Sequence, residues 1–87
     1  MKMSRSPERR PELVLYVRQG CHLCDVFLTE IQVELGPVSD DLRIVDVDSD
    51  VELATRYGLR VPVLTVGGIL VCEGVYDAPQ VRDALRL

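Results

Sequence analysis

No stretch of this sequence approaches the ~18 consecutive apolar residues that a membrane-spanning helix needs. The opening segment, MKMSRSPERRPE, carries charge but no apolar block, so it does not read as a secretory signal. There is no Gly-rich phosphate loop, no Ser-His-Asp set and no pair of catalytic carboxylates. Tyr16, Tyr57 and Tyr76 are too scattered to form a stacking platform. Internal repeats, low-complexity tracts and linkers are also missing. Histidine is reduced to one residue, His22, and cysteine to three. An odd count argues against a disulfide-stapled secreted mini-protein, which usually shows four, six or eight. The expected home is therefore a reducing cytosol, where a close cysteine pair is more often catalytic or metal-binding than structural.

What is there fits one small domain. The chain has 87 residues, of which 47% are hydrophobic and 28% charged. A chain this size buries only about 60% of its unfolded surface, so its core has to be compact. Residues 1–12 carry a net charge of +2, which leaves −6 on residues 13–87 out of the −4 total. An acidic body argues against nucleic acid as a partner, because phosphate contacts need clustered Lys and Arg. The division expected is a flexible basic tail over 1–12 and a folded domain over 13–87, with no membrane partner and a monomeric state.

The periodicities order that domain. Leu13–Val17 is a short apolar, β-rich run, as in a buried strand. From Cys24 the apolar positions Cys24, Phe27, Leu28, Ile31 and Leu35 trace one helical face. Gly36-Pro37 closes that helix. Leu42–Asp48 reads as a second strand. Ser49 or Asp50 can cap a short helix over VELATRY, and Gly58 can stop it. Val61–Val66 is a third strand, Gly67-Gly68 a two-residue turn and Ile69–Glu73 a fourth strand. Asp77, Pro79 and Gln80 open a last helix striped by Val81, Ala84 and Leu85. The order β-α-β-α-β-β-α predicts an α/β fold with a mixed four-stranded sheet. The first two strands, joined through a helix, should be parallel, and the last two antiparallel.

Chemistry concentrates in RQGCHLCDVF, Arg18–Phe27. Cys21 falls where the first strand gives way to the helix, and Cys24 lies one turn on. Residues three apart on a helix have Cβ atoms roughly 5–6 Å apart, within easy reach of a bridge. A helix N-terminus offers unpaired N–H groups and partial positive charge, and both stabilise a thiolate. This suits Cys21 as the exposed nucleophile, Cys24 on the apolar stripe as the resolving thiol and His22 as a tuning residue. Zinc would want four ligands. One pair, one histidine inside it and the distant Cys72 do not supply a single-chain set, although two copies sharing their pairs would. An inert packing role suits Cys24 and leaves Cys21, beside a glycine at a strand–helix junction, without a reason. Cys72 reads as a buried strand residue. Asp46 and Asp48 could line a site, but carboxylates at a strand end are usually solvated or capping.

Three segments, YVRQGCHLC, YGLRVPVLTV and GGILVCEGVYDAPQVRDAL, together resemble the glutaredoxin-like branch of the thioredoxin-fold superfamily, over about residues 13–87. The resemblance implies a thioredoxin-like fold and a small thiol–disulfide oxidoreductase. In it Cys21 would be the nucleophile, Cys24 the resolving cysteine and Pro62 a cis-proline facing them. The Val61 main chain would meet the substrate, with Arg18, Gly74 and Asp77 as further substrate-binding residues. No tightly bound cofactor or metal is implied; glutathione is a candidate co-substrate, alongside a protein or small-molecule disulfide and a separate reductant. Glutaredoxins typically carry Pro-Tyr between the cysteines, and here the pair is His22-Leu23. A Gly-Gly-x-Asp-type motif is replaced by Glu73-Gly74-Val75-Tyr76-Asp77, in which Glu73 should oppose an approaching carboxylate. The alternative left open is a non-catalytic module that binds a partner protein or a metal through the same cysteines.

Overall fold

The computed structural model describes residues 11–86. Four strands, β1 (Leu13–Val17), β2 (Arg43–Asp46), β3 (Val63–Val66) and β4 (Ile69–Glu73), form one sheet in the order β2-β1-β3-β4. β1 runs parallel to β2, while β1–β3 and β3–β4 are antiparallel. Three helices, α1 (His22–Leu35), α2 (Val51–Tyr57) and α3 (Ala78–Leu85), complete the element order read from the sequence. The fold is α/β and thioredoxin-like. The expected tail lies almost wholly outside the described residues. Glu12, at its end, is tied to the sheet: its carbonyl accepts the Gly67 N–H at 2.8 Å.

Alternation along β1 divides the core. Leu13 and Leu15 face α1 and α3 and are joined there by Phe27, Ile31, Leu35, Leu64, Val66, Cys72, Val81 and Leu85. Burying each large apolar side chain contributes about 1.5–3 kcal/mol. Tyr16 faces the other way, where its ring lies 4.7 Å from that of Tyr57 on α2. α2 therefore covers the opposite face, with Val47 and Val63 fully buried.

Boundaries differ from the sequence expectation where side chains intervene. The second strand ends at Asp46 instead of Asp48. The Asp46 carboxylate accepts the Asp48 N–H at 2.9 Å, and Ser49 Oγ donates to the Asp46 carbonyl at 2.6 Å. These bonds turn Val47–Ser49 into a 3₁₀ turn. A second 3₁₀ segment, Gly36–Asp41, follows α1 and has no periodicity that would announce it. The third strand starts at Val63, two residues late, because Pro62 has no N–H to give a ladder. The Val61–Pro62 peptide is cis. Gly67 and Gly68 both have positive φ, 59° and 84°, as a tight hairpin turn requires. No helix among the described residues is long and apolar enough to cross a membrane.

Candidate active site

One end of the sheet collects the residues singled out by sequence. The pairings Tyr16↔Val63 and Val63↔Glu73 place the end of β1, the start of β3 and the end of β4 side by side. Three loops leave from there: Arg18–Cys21 into α1, Gly58–Pro62 out of α2, and Gly74–Asp77 into α3.

Cys21 is the N-cap of α1 and Cys24 sits in its first turn. The two are joined as a disulfide, with Cα atoms 5.2 Å apart. The Cys24 N–H donates to Cys21 Sγ at 3.1 Å, while the Cys21 carbonyl accepts from the Cys24 and Asp25 amides. The partly exposed Cys21 thus caps the helix with its sulfur as well as its carbonyl, both accepting the Cys24 N–H. Cys24 is 4% exposed, on the apolar stripe with Phe27. His22 and Leu23 between them are exposed. Cys72 is free and buried in the core, pairing with Leu64 across the sheet. Burial pushes its thiol up from the usual cysteine range.

Pro62 is buried, and its carbonyl accepts the Gly74 N–H at 2.8 Å, which ties two of the loops together. Gly74 has φ +77°, a left-handed conformation that suits glycine. Asp77 caps α3, its carboxylate accepting the Gln80 N–H at 3.1 Å. Arg18 forks onto Asp48, with Nε–Oδ2 at 3.0 Å and Nη2–Oδ1 at 2.8 Å, and gives Nη1 to the Gly58 carbonyl at 3.0 Å. The pair holds the Asp48 carboxyl below its ordinary value, chiefly by hydrogen bonding. Arg60 forks onto Glu73 in the same way, at 2.6 and 3.2 Å. Glu73 is therefore not the lone charge its position in the sequence suggests, and its carboxyl is lowered by that bond.

The structure brings Cys21, Cys24, Pro62, Gly74 and Asp77, each singled out from the sequence, to one end of the sheet. Sequence reading misses the contacts of Arg18 with Asp48 and Gly58 and the Arg60–Glu73 partnership, because partners 30, 40 and 13 residues apart carry no local signal. Among the described residues no group of three or more His, Cys, Asp and Glu side chains is gathered closely enough to hold a metal.

The comparisons with known proteins agree with this geometry. The family model of the Glutaredoxin-like domain (DUF836) matches residues 12–86. The chain belongs to that family. Among solved structures, this glutaredoxin-like domain is similar to protein XcR50 from X. campestris, with 36% identity, TM-score 0.66, and 85% of this chain and 95% of that chain covered. It is also similar to protein Ne2328 from Nitrosomonas europaea, with 26% identity, TM-score 0.74, and 94% and 99% covered. Fasciola hepatica thioredoxin, at 20% identity, TM-score 0.54 and coverage of 88% and 79%, shares the fold. No curated protein matches significantly in sequence. A glutaredoxin-like domain with a cysteine pair at disulfide distance is a thiol redox-type module.

Proposed function

We propose that the protein is a small cytoplasmic thiol–disulfide oxidoreductase. One observation carries this reading: the Cys21–Cys24 disulfide sits at the first turn of α1, where the Cys21 sulfur already accepts a helix N–H. In the reduced protein the same N–H and the helix dipole would stabilise a thiolate on Cys21. That thiolate attacks one sulfur of a substrate disulfide. The substrate S–S bond breaks, and the leaving thiolate takes a proton from water. Cys24 then loses its proton, attacks Cys21 Sγ and releases the second substrate thiol. The net exchange moves two electrons from the protein dithiol to the substrate, and an external dithiol restores the protein. Val61, Pro62, Gly74 and Asp77 would form the substrate-facing edge. Arg18 is at the same end with its guanidinium turned to Asp48, and His22 would tune the pair.

The test is turnover of a model disulfide with dithiothreitol as the restoring dithiol. The rate should exceed that of dithiothreitol alone. Cys21→Ser should abolish the excess, and Cys24→Ser should accumulate a mixed disulfide at Cys21. Brief iodoacetamide treatment of the reduced protein at neutral pH should label Cys21 ahead of Cys24 and Cys72. Absence of turnover, with metal found on the same sample, would favour a binding module that uses the same cysteines.

A further inference from the structure

We infer that Glu73, Asp48 and Asp77 determine specificity at this site, steering it toward a polypeptide disulfide with uncharged, apolar flanks and away from small anionic disulfides. The inference rests on the oxidoreductase reading and names its substrate class.

An anionic disulfide needs cations or helix-end N–H groups to hold its carboxylates. Among the described residues, Arg18, Arg60 and the N-terminus of α3 are such features at this end, and each already holds a carboxylate of the chain itself. Arg18 is forked onto Asp48 and spends its remaining nitrogen on Gly58. Arg60 is forked onto Glu73 and also donates to the Arg56 carbonyl at 3.4 Å. The N-terminus of α3 is capped by Asp77. Arg56, on α2, lies 5.9 Å above the Tyr57 ring, on the side of the sheet away from α1. Asp25, exposed in the first turn of α1 beside Cys24, adds a further negative charge. A forked carboxylate–guanidinium pair satisfies both partners in fixed geometry, so an incoming carboxylate has to displace one already in place.

The first turn of α1 and two of these loops present apolar side chains to water instead. Leu23, between the cysteines, is 53% exposed; Leu59, before Pro62, is 98% exposed; Val75, before α3, is 73% exposed. Leu23 stands in the first turn of α1, and Leu59 and Val75 stand on the loops that lead to β3 and α3. An apolar flank on a polypeptide would bury against them, and its backbone carries no charge to be paired. A small thiol with two carboxylates per half gains neither.

Two probes separate the classes: glutathione disulfide, and a peptide disulfide flanked by leucines and without charged side chains. The quantity read is the ratio of their kcat/KM values under dithiothreitol turnover. The unaltered protein should favour the leucine-flanked peptide. Glu73→Gln frees Arg60 and should shift the ratio toward glutathione disulfide about two- to fivefold, the scale of one exposed charge contact. Arg60→Gln leaves Glu73 unpaired and should shift it the other way by a similar factor. Leu59→Ser, at a side chain that packs on little else, should lower turnover of the leucine-flanked peptide more than that of glutathione disulfide. A preference for glutathione disulfide, or a ratio unmoved by both charge variants, overturns the inference and leaves the oxidoreductase reading standing. No turnover of either probe overturns both.

Discussion

Arg18 holds Asp48 through two hydrogen bonds, of 2.8 and 3.0 Å, and with its third nitrogen reaches the carbonyl of Gly58. One side chain, three residues before the first cysteine of the pair, thereby fastens the loop leading into α1 both to the 3₁₀ turn after β2 and to the end of α2. The loop that presents Cys21 is anchored from outside its own sequence.

Acid should loosen that anchor. Asp48 is held below its ordinary value of 3.8 by Arg18, and Glu73 below 4.5 by Arg60. A depressed folded-state value means stability that is present above the unfolded value and lost as pH falls through the folded one. The loss should therefore begin near pH 4.5 and deepen below 3.8. Both pairs are exposed, so each effect is small and shrinks with added salt. Urea midpoints measured from pH 6 down to pH 2 should fall less steeply for Asp48→Asn than for the unaltered protein. Parallel curves would mean that the pair contributes nothing to folding.

Gly58 closes α2 for a reason of space. Its φ is −54°, which any residue adopts. A Cβ there would run into the Ala54 carbonyl and would lie 2.9 Å from Arg18 Nη2. The Ala54 obstacle is backbone, so it cannot simply swing away. Gly58→Ala should destabilise by about 1–3 kcal/mol, the usual range for overfilling a packed site. This should hold even though alanine is the better helix former by about 1 kcal/mol. Denaturant unfolding at neutral pH measures it, and a stability gain would show that the turn opens at no cost. The Arg18–Gly58 hydrogen bond should weaken in the same variant.

The contrast between α1 and the two arginine pairs shows what was readable in advance. The stripe Cys24, Phe27, Ile31, Leu35 is written at helical spacing, and all four residues are buried. Asp50 and Asp77 each act within three residues of their own position, as caps do, and their roles could be read locally. The parallel β1–β2 pair and the antiparallel β3–β4 hairpin followed from connection lengths and the Gly67-Gly68 turn, whereas the β1–β3 pairing that joins them was not read. Asp48 looked like a solvated strand-end carboxylate because the guanidinium that takes it lies 30 residues earlier. Glu73 looked like a free obstacle because Arg60 reaches it only after the chain has turned at Pro62 and run through the β3–β4 hairpin. Local periodicity records elements and their buried faces. It does not record which charges meet once those elements pack, and at this site those meetings set the electrostatics.

Tyr76 offers a test of packing next to the same end. Its ring meets Phe27 edge-on, with centroids 5.4 Å apart. Its hydroxyl oxygen is buried and has no hydrogen-bond partner among the described residues. Burial pushes the phenol up from 10.0 to about 12, with Glu34 and Glu30 among the acidic neighbours acting in the same direction. The folded protein therefore favours the neutral phenol. Its contribution is complete below the unfolded value of 10.0 and is lost as pH rises through about 12. Tyr76→Phe keeps the edge-to-face contact and removes an unsatisfied polar atom, whose burial costs about 1–3 kcal/mol. The variant should be as stable as the unaltered protein at pH 7, or more stable by up to about 1 kcal/mol, the lower end of that range. Its advantage should widen between pH 10 and 12, where the unfolded tyrosine ionises first. Paired denaturant titrations at pH 7, 10 and 11.5 decide the matter. A variant weaker by more than about 1 kcal/mol at pH 7 would mean that the hydroxyl has a hydrogen-bond partner in solution, since that is the usual net worth of one such bond.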